Sequence, residues 1–578
     1  MFPTFTYLRH YKKESILGPL FKMLEASFEL FVPLVVASII DKGIALHDTQ
    51  SIIQSCILLV LLALIGLVCA LTAQYFSAKA AVGLSTQMRQ DLFSHIQSLS
   101  PQDIDRLGAS TLITRLTSDI NQIQTGINLF LRLFLRSPFV VFGAAFMAFY
   151  VDAHAALVFA VVIPLLAAIV FAIMLTTAPL YKKVQRHLDT VSDMVRENLS
   201  GVRVIRAFRR EDSEVERFDA HNDQLLHTQL FVGRISACMN PLTFVIVNAG
   251  IIALIWCGAL QVEIGSLTQG QVVALVNYMS QILVELVKLA NLIITVTKAL
   301  ACNKRIEEIM QLEPSLKTGN QCASNTTAAD ICLSDVCLNF GGAEVLSHIN
   351  LTIEASSTLG ILGGTGSGKS ILAELIAHLY NPSSGTITYA NIDVANWDIH
   401  ELRQRIGFVP QHATLLSGTL KDNLTWRHPQ ATEKDLIEAL EIASARNFVE
   451  KLPQGLATHV SQGGTNFSGG QRQRLTIARA LVGKPEVLIL DDSSSALDFA
   501  TERNLRHALE NLSWKPTIIV VSQRISSLRH ADNIVVMDDG HVACQGTHEQ
   551  LLENCALYQE IYASQSSNQQ QEGGLYEH

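Results

Sequence analysis

The sequence predicts a multidomain protein in which an all-α transmembrane domain of six spans, with long helical extensions, precedes an α/β P-loop domain. The chain has 578 residues, too many for one compact core. Hydrophobic residues make up 49% of it and charged residues 16%, a balance typical of membrane proteins. The apolar bias is concentrated in the first half, and a Gly-rich loop motif stands in the second half.

Six segments are apolar enough to cross a bilayer, which requires about 20 residues in a helix. The clearest is the uninterrupted apolar run from Ala155 to Leu175. The expected spans cover residues 16–40, 52–76, 133–150, 153–178, 243–260 and 272–297. We assign residues 1–311 to the membrane domain, 312–330 to a linker, 331–563 to the second domain and 564–578 to a disordered tail.

Basic residues indicate the orientation. They are concentrated after the fourth span, at Lys182, Lys183, Arg186, Arg196, Arg203, Arg206, Arg209, Arg210 and Arg217. Because cytoplasmic loops carry an excess of Lys and Arg, we expect a multi-pass protein of the cell membrane, with both termini and the second domain in the cytoplasm. The long connections, residues 77–126 and 181–240, keep helical patterning, which predicts spans that continue beyond the lipid bilayer.

Several charged residues fall in or near the expected spans. They are Glu25, Glu29, Arg132, Arg136, Glu285 and Lys288. Charge is costly in a membrane, so such residues usually face a cavity, a partner or the interface. A substrate pathway is one interpretation. The other interpretation is structural: Glu285 and Lys288 form a simple i,i+3 ion pair, and Arg132 and Arg136 lie below the membrane on a helix extension.

Composition excludes some functions. The net charge of -9 gives no support for a nucleic-acid surface, which needs clustered Lys and Arg, so nucleic acid is not an expected partner. The ten cysteines form no Cys-x-x-Cys pair, and we expect them to be reduced residues of the core or of membrane helices.

A phosphate-binding motif lies between a predicted strand and a predicted helix. It reads Gly363, Gly364, Thr365, Gly366, Ser367, Gly368, Lys369 and Ser370, which fits G-x-x-x-x-G-K-[ST]. Glycines let backbone N–H groups wrap phosphates, the helix N-terminus adds positive potential, and the lysine reaches the terminal phosphates. Ser370 is a candidate ligand of Mg²⁺, so ATP and Mg²⁺ are the expected cofactors.

A second motif supports the metal site. The apolar run Val487–Leu490 predicts a buried strand that ends in Asp491, a carboxylate placed to hold Mg²⁺ directly or through water. Alone, a strand that ends in aspartate is commonly structural. Together with the phosphate loop, it indicates a metal site.

The segment Phe467-Ser468-Gly469-Gly470-Gln471 closely resembles the LSGGQ signature of ATP-binding cassette (ABC) proteins. The order of motifs around it is also that of this family. The resemblance of the cassette covers residues 331–563, and residues 108–123 and 197–218 look like the cytoplasmic loops of ABC exporters. The resemblance therefore extends over nearly the whole chain.

The resemblance implies roles for further residues. Phe340 would stack on adenine, Gln411 would sense Mg²⁺ and contact the membrane domain, and Asp498 would be the D-loop acid. Family members hold ATP between two cassettes, so a partner's nucleotide would contact Ser468, Gly469, Gly470 and Gln471. Residues 101–108 and 206–217 would include coupling helices, or else are solvated charged helices.

Two positions depart from the family pattern. Asp492 stands where the family has its catalytic glutamate, and Gln523 where it has the switch histidine. The sequence therefore resembles the degenerate-site subunit of heterodimeric bacterial multidrug exporters. The implied partners are a second ABC half-transporter, the lipid bilayer and an amphiphilic small molecule, and Asp492, Gln523 and Gln411 are the candidate catalytic residues.

The expected function is ATP-driven export of amphiphilic compounds or drugs by alternating access, from a weakly hydrolytic ATPase site. A fused membrane domain and cassette resembles exporters more than importers. Export of a lipid, peptide or thiol compound is an alternative. An ATP-gated regulatory or channel-like module is a second alternative, distinguished by the absence of uphill transport.

Overall fold

The computed structural model describes residues 3–316, 318–322, 329–340 and 343–573, and their side chains except at residues 3–5, 340 and 567–573. The chain divides into two compact units. The first comprises Met1–Gln97 and Gly108–Leu312, and the second comprises Ser98–Leu107 and Glu313–His578. The main division therefore lies between residues 312 and 313, at the start of the expected linker.

The described residues up to 312 are almost entirely helical, and of their helices only α4 belongs to the second unit. The helices are α1 (Pro3–Leu8), α2 (Lys12–Ser38), α3 (Thr49–Ser98), α4 (Pro101–Leu107), α5 (Ala109–Thr114), α6 (Ile120–Leu133), α7 (Arg136–Val151), α8 (Ala153–Ser200), α9 (Val202–Ala207), α10 (Glu211–Ala237), α11 (Met239–Ile264) and α12 (Gln269–Met310). Two π-helical turns, Ile39–Ile44 and Arg115–Asp119, extend α2 and join α5 to α6.

Six helical segments in the described part of the chain are long and apolar enough to cross a membrane, which confirms the expected number. They are Thr6–Ile44, Thr49–Ser98, Ala109–Val151, Ala153–Ser200, Glu211–Ile264 and Gln269–Met310. Each exceeds the expected span because the helix continues past its apolar stretch. In α3 the extension buries Leu84, Met88 and Leu92, whose four-residue spacing places them on one face.

The core of the first unit lies between α2, α7, α8, α11 and α12. Its largest fully buried side chains include Tyr278 and Phe159. The hydroxyl of Tyr278 donates to the Leu30 carbonyl oxygen at 2.7 Å, which satisfies a phenol that is buried among apolar side chains. This contact fixes α12 against α2.

The second unit is an α/β domain, as the sequence predicts. Its strands are β1 (Ile331–Phe340), β2 (Ala343–Ile353), β3 (Thr358–Gly363), β4 (Ser384–Tyr389), β5 (Ile392–Asp393), β6 (Ile406–Val409), β7 (Gly418–Thr419), β8 (His459–Val460), β9 (Val487–Asp491), β10 (Thr517–Ser522), β11 (Asn533–Asp538) and β12 (His541–Gly546). Its further helices are α13 (Lys369–Ile376), α14 (Ile399–Arg405), α15 (Leu420–Leu424), α16 (Glu433–Ile442), α17 (Arg446–Val449), α18 (Gly469–Leu481), α19 (Phe499–Glu510), α20 (Ile525–Leu528), α21 (His548–Asn554) and α22 (Ala556–Gly573).

The central sheet has the strand order β12-β11-β3-β10-β9-β6. The strands from β11 to β6 are parallel, and β12 pairs with β11 antiparallel. Strands such as β9 are buried along their whole length, which explains the apolar run Val487–Leu490. An antiparallel sheet, β2-β1-β4-β5, and the pair β7-β8 complete the unit.

Helix α4 is one of the segments that resemble coupling helices. Asp103, near its start, is buried and accepts hydrogen bonds from the backbone and hydroxyl of both Ser100 and Ser315. Tyr380, after α13, donates to Asp105 at 2.8 Å. These contacts explain why α4 belongs to the second unit. The other such segment, residues 206–217, runs from the end of α9 into α10.

Two features of the C-terminal region differ from the sequence-based expectations. Cys544 and Cys555 form a disulfide, so the expectation that all cysteines are reduced is wrong for this pair. Helix α22 continues to Gly573, although the sequence predicts disorder from Ser564. Leu557, Tyr558 and Ile561 pack against α20 and α21, which extends order into a polar segment.

Candidate functional site

The predicted site residues lie beyond the carboxyl ends of four neighbouring strands. The phosphate loop follows β3, Gln523 follows β10, Asp491 ends β9, and Gln411 comes shortly after β6. Because β3, β10, β9 and β6 are adjacent and parallel, these chain ends meet at one edge of the sheet. This edge is where open α/β sheets bind ligands.

The phosphate loop owes its shape to its glycines. Gly366 and Gly368 have φ of 85° and 91°, in the left-handed region that other residues rarely adopt. A Cβ at Gly368 would lie 2.8 Å from Leu346 Cδ2, so the close packing against β2 also requires glycine. The loop turns directly into α13, whose N-terminus offers free backbone N–H groups and a positive partial charge.

These elements enclose a pocket of about 310 Å³. Its predicted members are Thr365, Gly366, Gly368, Lys369, Ser370, Gln411, Asp491, Asp492 and Gln523. The remaining loop residues stand next to it, since the Lys369 ammonium donates to the Gly364 carbonyl and, at 3.3 Å, to Ser367 Oγ. Gly363 ends β3. The structure therefore brings the phosphate loop, the strand-end acids, Gln411 and Gln523 together.

Burial governs the protonation of the charged groups in this pocket. It raises the pKa of the Asp491 and Asp492 carboxyls and lowers the pKa of the Lys369 ammonium. Each shift favours the neutral form. A ligand that brings both phosphate and cationic charge would favour the ionised forms again.

Asp492 has a fixed position in the pocket. Its backbone N–H donates to the Val521 carbonyl oxygen at 3.0 Å, and its φ of 41° is one that aspartate tolerates better than most residues. Its carboxylate hydrogen-bonds with the Gln411 side chain. Asp492 and Gln411 therefore lie in the same region of the pocket.

The signature residues lie elsewhere on the same unit. Ser468 caps α18: its Oγ accepts from the Gln471 N–H at 3.3 Å and its own N–H donates to Gln471 Oε1 at 3.0 Å. Asp498 caps α19 by accepting from the Thr501 N–H at 2.7 Å. Ser468, Gly469 and Asp498 are exposed and do not line the phosphate pocket that the structure describes.

Some pocket residues carry no motif. Val345 on β2 and Ile371 on α13 contribute to the wall. Ile371 is next to the phosphate loop in sequence, but Val345 enters only because β2 packs against the loop, which no sequence pattern indicates. The side chain of Phe340, the predicted adenine contact, lies outside the described residues.

Comparison with known sequences identifies the two units. The profile of the ABC transporter transmembrane region matches residues 15–286, and the ABC transporter profile matches residues 346–495. An uncharacterized ABC transporter ATP-binding protein of Mycobacterium tuberculosis is 36% identical over 569 residues, covering 97% of each chain. The chain belongs to the ABC transporter family.

Two further comparisons concern transporters of more specific kinds. An ATP-dependent lipid A-core flippase of Desulfotalea psychrophila is 32% identical over 478 residues, covering 82% of this chain and 84% of that one. The structure of a bacterial Atm1-family ABC exporter with ATP bound has a similar fold, with a TM-score of 0.78, 21% identity and coverage of 96% and 98%. The chain is an ABC half-transporter with the fold of an ABC exporter, a multi-pass membrane protein with a cytoplasmic cassette that couples ATP hydrolysis to transport.

Proposed function

We propose that this half-transporter is one subunit of a heterodimeric exporter that moves amphiphilic compounds out of the cell by alternating access. Its own pocket binds ATP and hydrolyses it slowly, while its exposed signature completes a faster site on the partner subunit. One observation carries the proposal: Asp492 and Gln523 both line the phosphate pocket. The resembled family has glutamate and histidine at these positions.

The chain's own residues suit ATP binding. The Lys369 ammonium and the N-terminus of α13 would hold the phosphates, and glycines at 366 and 368 let the backbone approach them. Phe340, at the end of β1, is proposed to stack on adenine. The exposed Ser468 and Gly469 would approach a nucleotide held by the partner's phosphate loop.

The pocket also fits Mg²⁺. Ser370 Oγ donates to Asp491 Oδ1 at 3.0 Å, and Gln411 lines the same pocket, so a hydroxyl, a carboxylate and an amide oxygen converge. Mg²⁺ prefers such oxygen ligands. Ser370, Gln411 and Asp491 are the residues proposed to hold it. When bound, Mg²⁺ neutralises charge on the phosphates.

The weakness of the site follows from side-chain length. An aspartate carboxylate is one methylene closer to the backbone than a glutamate carboxylate, and a misplacement of about 1 Å can reduce a catalysed rate about a hundredfold. Gln523 would offer a neutral amide to the terminal phosphate instead of an imidazole. Two copies of this chain would repeat both changes at both sites, which favours a heterodimer.

A lipid is the second candidate cargo. The relative named as a lipid A-core flippase covers most of the chain and supports a membrane amphiphile as the transported compound. Cargo of this kind enters from the bilayer, so both candidates share the requirement for a site between the spans.

Vesicle uptake tests the proposal. The chain and a second ABC half-transporter, taken as the candidate partner, are reconstituted together, and accumulation of a fluorescent amphiphile is followed with and without ATP. We expect ATP-dependent accumulation against a gradient. Flux only down a gradient would indicate the channel-like module instead.

A parallel ATPase measurement tests the division of labour. We expect the chain alone to hydrolyse ATP at least ten times more slowly than the pair of subunits. Rapid hydrolysis by the chain alone that Asp492→Asn abolishes would contradict the heterodimer. The Lys369→Ala variant of the chain controls for contaminating ATPases.

A further inference from the structure

A network of four charged side chains lies inside the membrane domain. The guanidinium of Arg136, 6% exposed, binds Glu285 through Nη1 and Glu29 through Nη2, the second at 2.6 Å. Glu285 also accepts from Lys288 Nζ at 2.8 Å and from Ser137 Oγ at 2.8 Å. The i,i+3 pair of Glu285 and Lys288, one of the two interpretations of the sequence, is therefore present, and Arg136 joins it to Glu29 on α2. Such pairing offsets much of the cost of placing charge in a membrane.

Two members of this network remain partly exposed to a cavity. The side chains of Glu29 and Lys288 are 42% and 41% exposed, and both line a cavity of about 380 Å³ between α2, α7 and α12. Asn277, Ser280 and Gln281 continue the wall along α12. Gln281 Oε1 is buried without a hydrogen-bond partner in the described part of the chain. A network that served stability alone would not need two exposed opposite charges and an unpaired amide oxygen on one cavity.

We infer that this cavity binds the zwitterionic head group of the transported amphiphile, with the ligand's ammonium at Glu29 and its anionic group at Lys288. The inference rests on the proposed export of amphiphiles and names their chemical class. The four network charges sum to zero, so a ligand of one sign would meet repulsion from one exposed group. A zwitterion satisfies both, and the unpaired Gln281 Oε1 can accept a hydrogen bond from its ammonium.

The test measures ligand binding by thermal shift of the reconstituted complex. The probes are lysophosphatidylethanolamine, lysophosphatidic acid, dodecylamine and free phosphoethanolamine, which separate charge pattern from acyl chain. We expect the zwitterionic lysolipid to bind at least tenfold more tightly than the anionic or cationic amphiphile. If free phosphoethanolamine binds as tightly as the lysolipid, the head group alone is the ligand and the amphiphile part of the inference is wrong.

Matched variants locate the site. Glu29→Gln and Lys288→Gln are each expected to weaken lysolipid binding about tenfold. Glu25→Gln is the control because Glu25, one turn earlier on α2, pairs with Lys22 and does not line the cavity. ATP binding verifies that each variant is folded. Unchanged lysolipid affinity in both cavity variants overturns the inference, whereas selective binding without ATP-driven uptake overturns only the proposed function.

An independent observation concerns the switch segment. Gln565 on α22 donates from Nε2 to the Gln523 carbonyl oxygen at 2.7 Å and accepts at Oε1 from the Ile525 N–H at 3.0 Å. One side chain thus holds the backbone on both sides of Arg524. Helix α22 is itself anchored by the fully buried Tyr558, which packs with Ile525 and Leu528 of α20.

The geometry points to Gln565 as a positioning residue for Gln523, the residue proposed to contact the terminal phosphate. Without this brace, the backbone of Gln523 is freer and its amide is less well placed. ATP would then lose affinity while ADP, which lacks that phosphate, would not. This difference separates positioning from a general structural role.

Displacement of a trinitrophenyl nucleotide by ATP and by ADP tests the role of Gln565. We expect Gln565→Ala to weaken ATP binding threefold to tenfold and to leave ADP binding unchanged. Gln565→Glu keeps the acceptor for Ile525 but loses the donor, so its effect is expected to be intermediate. Gln559→Ala is the control, because the Gln559 side chain on the same helix donates hydrogen bonds to the carbonyl oxygens of Leu552 and Glu553 instead of to the switch segment. Equal losses for ATP and ADP, or no loss in Gln565→Ala, overturn the assignment.

Discussion

Single residues set the chemistry of the phosphate pocket, and Asp492 is the most consequential of them. Its backbone is fixed by Val521, and its carboxylate contacts Gln411. With the backbone fixed, side-chain length sets how far the carboxylate can reach into the pocket. The sequence predicts which residues meet in the pocket because the motifs follow parallel strands, but it does not predict Val345 or Gln565, which enter through packing.

Lengthening this side chain is expected to raise turnover. In the chain purified alone, Asp492→Glu combined with Gln523→His is expected to increase the ATPase rate about tenfold to a hundredfold, because the carboxylate returns to the position that activates water. Steady-state phosphate release measures the change. The Asp492→Asn, Gln523→His pair is the control, and a double variant with glutamate that stays as slow as the control contradicts this role of Asp492.

A second residue predicts a dependence of stability on pH. His378 follows α13, is 2% exposed, and has an Nδ1 without a hydrogen-bond partner among the described residues. Burial, with Arg403 nearby, lowers its pKa to about 4. In the unfolded chain this histidine has a pKa of about 6.5. Between about pH 6.5 and pH 4, therefore, only the unfolded chain protonates the imidazole, and the folded state loses stability as the pH is lowered.

We expect this loss of folding stability to reach about 2 kcal/mol at pH 5 and to be absent above about pH 7. His378→Asn removes it and tolerates the left-handed backbone, φ 50°, at this position. Chemical unfolding of the cassette, followed at pH 7 and pH 5, measures the difference. Burial raises the pKa of Glu374 to about 7, which acts in the opposite sense in both proteins. Equal pH dependence in wild type and variant would contradict the assignment.

Among the structural elements, the apolar pattern of the sequence predicts the membrane helices and the buried strands, but it does not predict where the helices end. The spans extend beyond their apolar cores because α3 and α8 continue as amphipathic helices. Helix α22 was not predicted beyond Ser564, since its polar residues gain order from packing at its start. The disulfide between β12 and the start of α22 was also missed because spacing alone does not reveal which cysteines meet.

This disulfide predicts an effect of reducing agents on the cassette. The bond closes a loop of 11 residues, which corresponds to about 3 kcal/mol of stability in the chain-entropy account. We expect dithiothreitol to lower the unfolding midpoint of the wild-type cassette and to leave Cys544→Ala unaffected. The control is Cys337→Ala, in which a free buried cysteine is removed and the response to dithiothreitol is retained. A Cys544→Ala protein that still responds would exclude this bond as the cause.

For the molecule as a whole, architecture and family could be predicted from the sequence because hydropathy, motif order and motif context agree. The charged network around Arg136 could not, since its partners lie on α2 and α12, more than 100 residues away in each direction. The pairing of two cassettes remains a proposal. It explains why the signature is exposed and separate from the phosphate pocket of the same chain.

Two variants of this chain, compared within the complex of both subunits, test that pairing most directly. Apart from its own helix backbone and chain neighbours, no described atom lies within 4 Å of a Cβ built at Gly469, so Gly469→Asp fits this chain and would place a negative charge toward the nucleotide of the proposed partner. We expect Gly469→Asp to reduce the ATPase rate of the complex at least a hundredfold and Asp492→Asn to reduce it less than threefold. The reverse order, with Asp492→Asn abolishing turnover and Gly469→Asp tolerated, would contradict a slow pocket in this chain and a signature that completes a faster site on its partner.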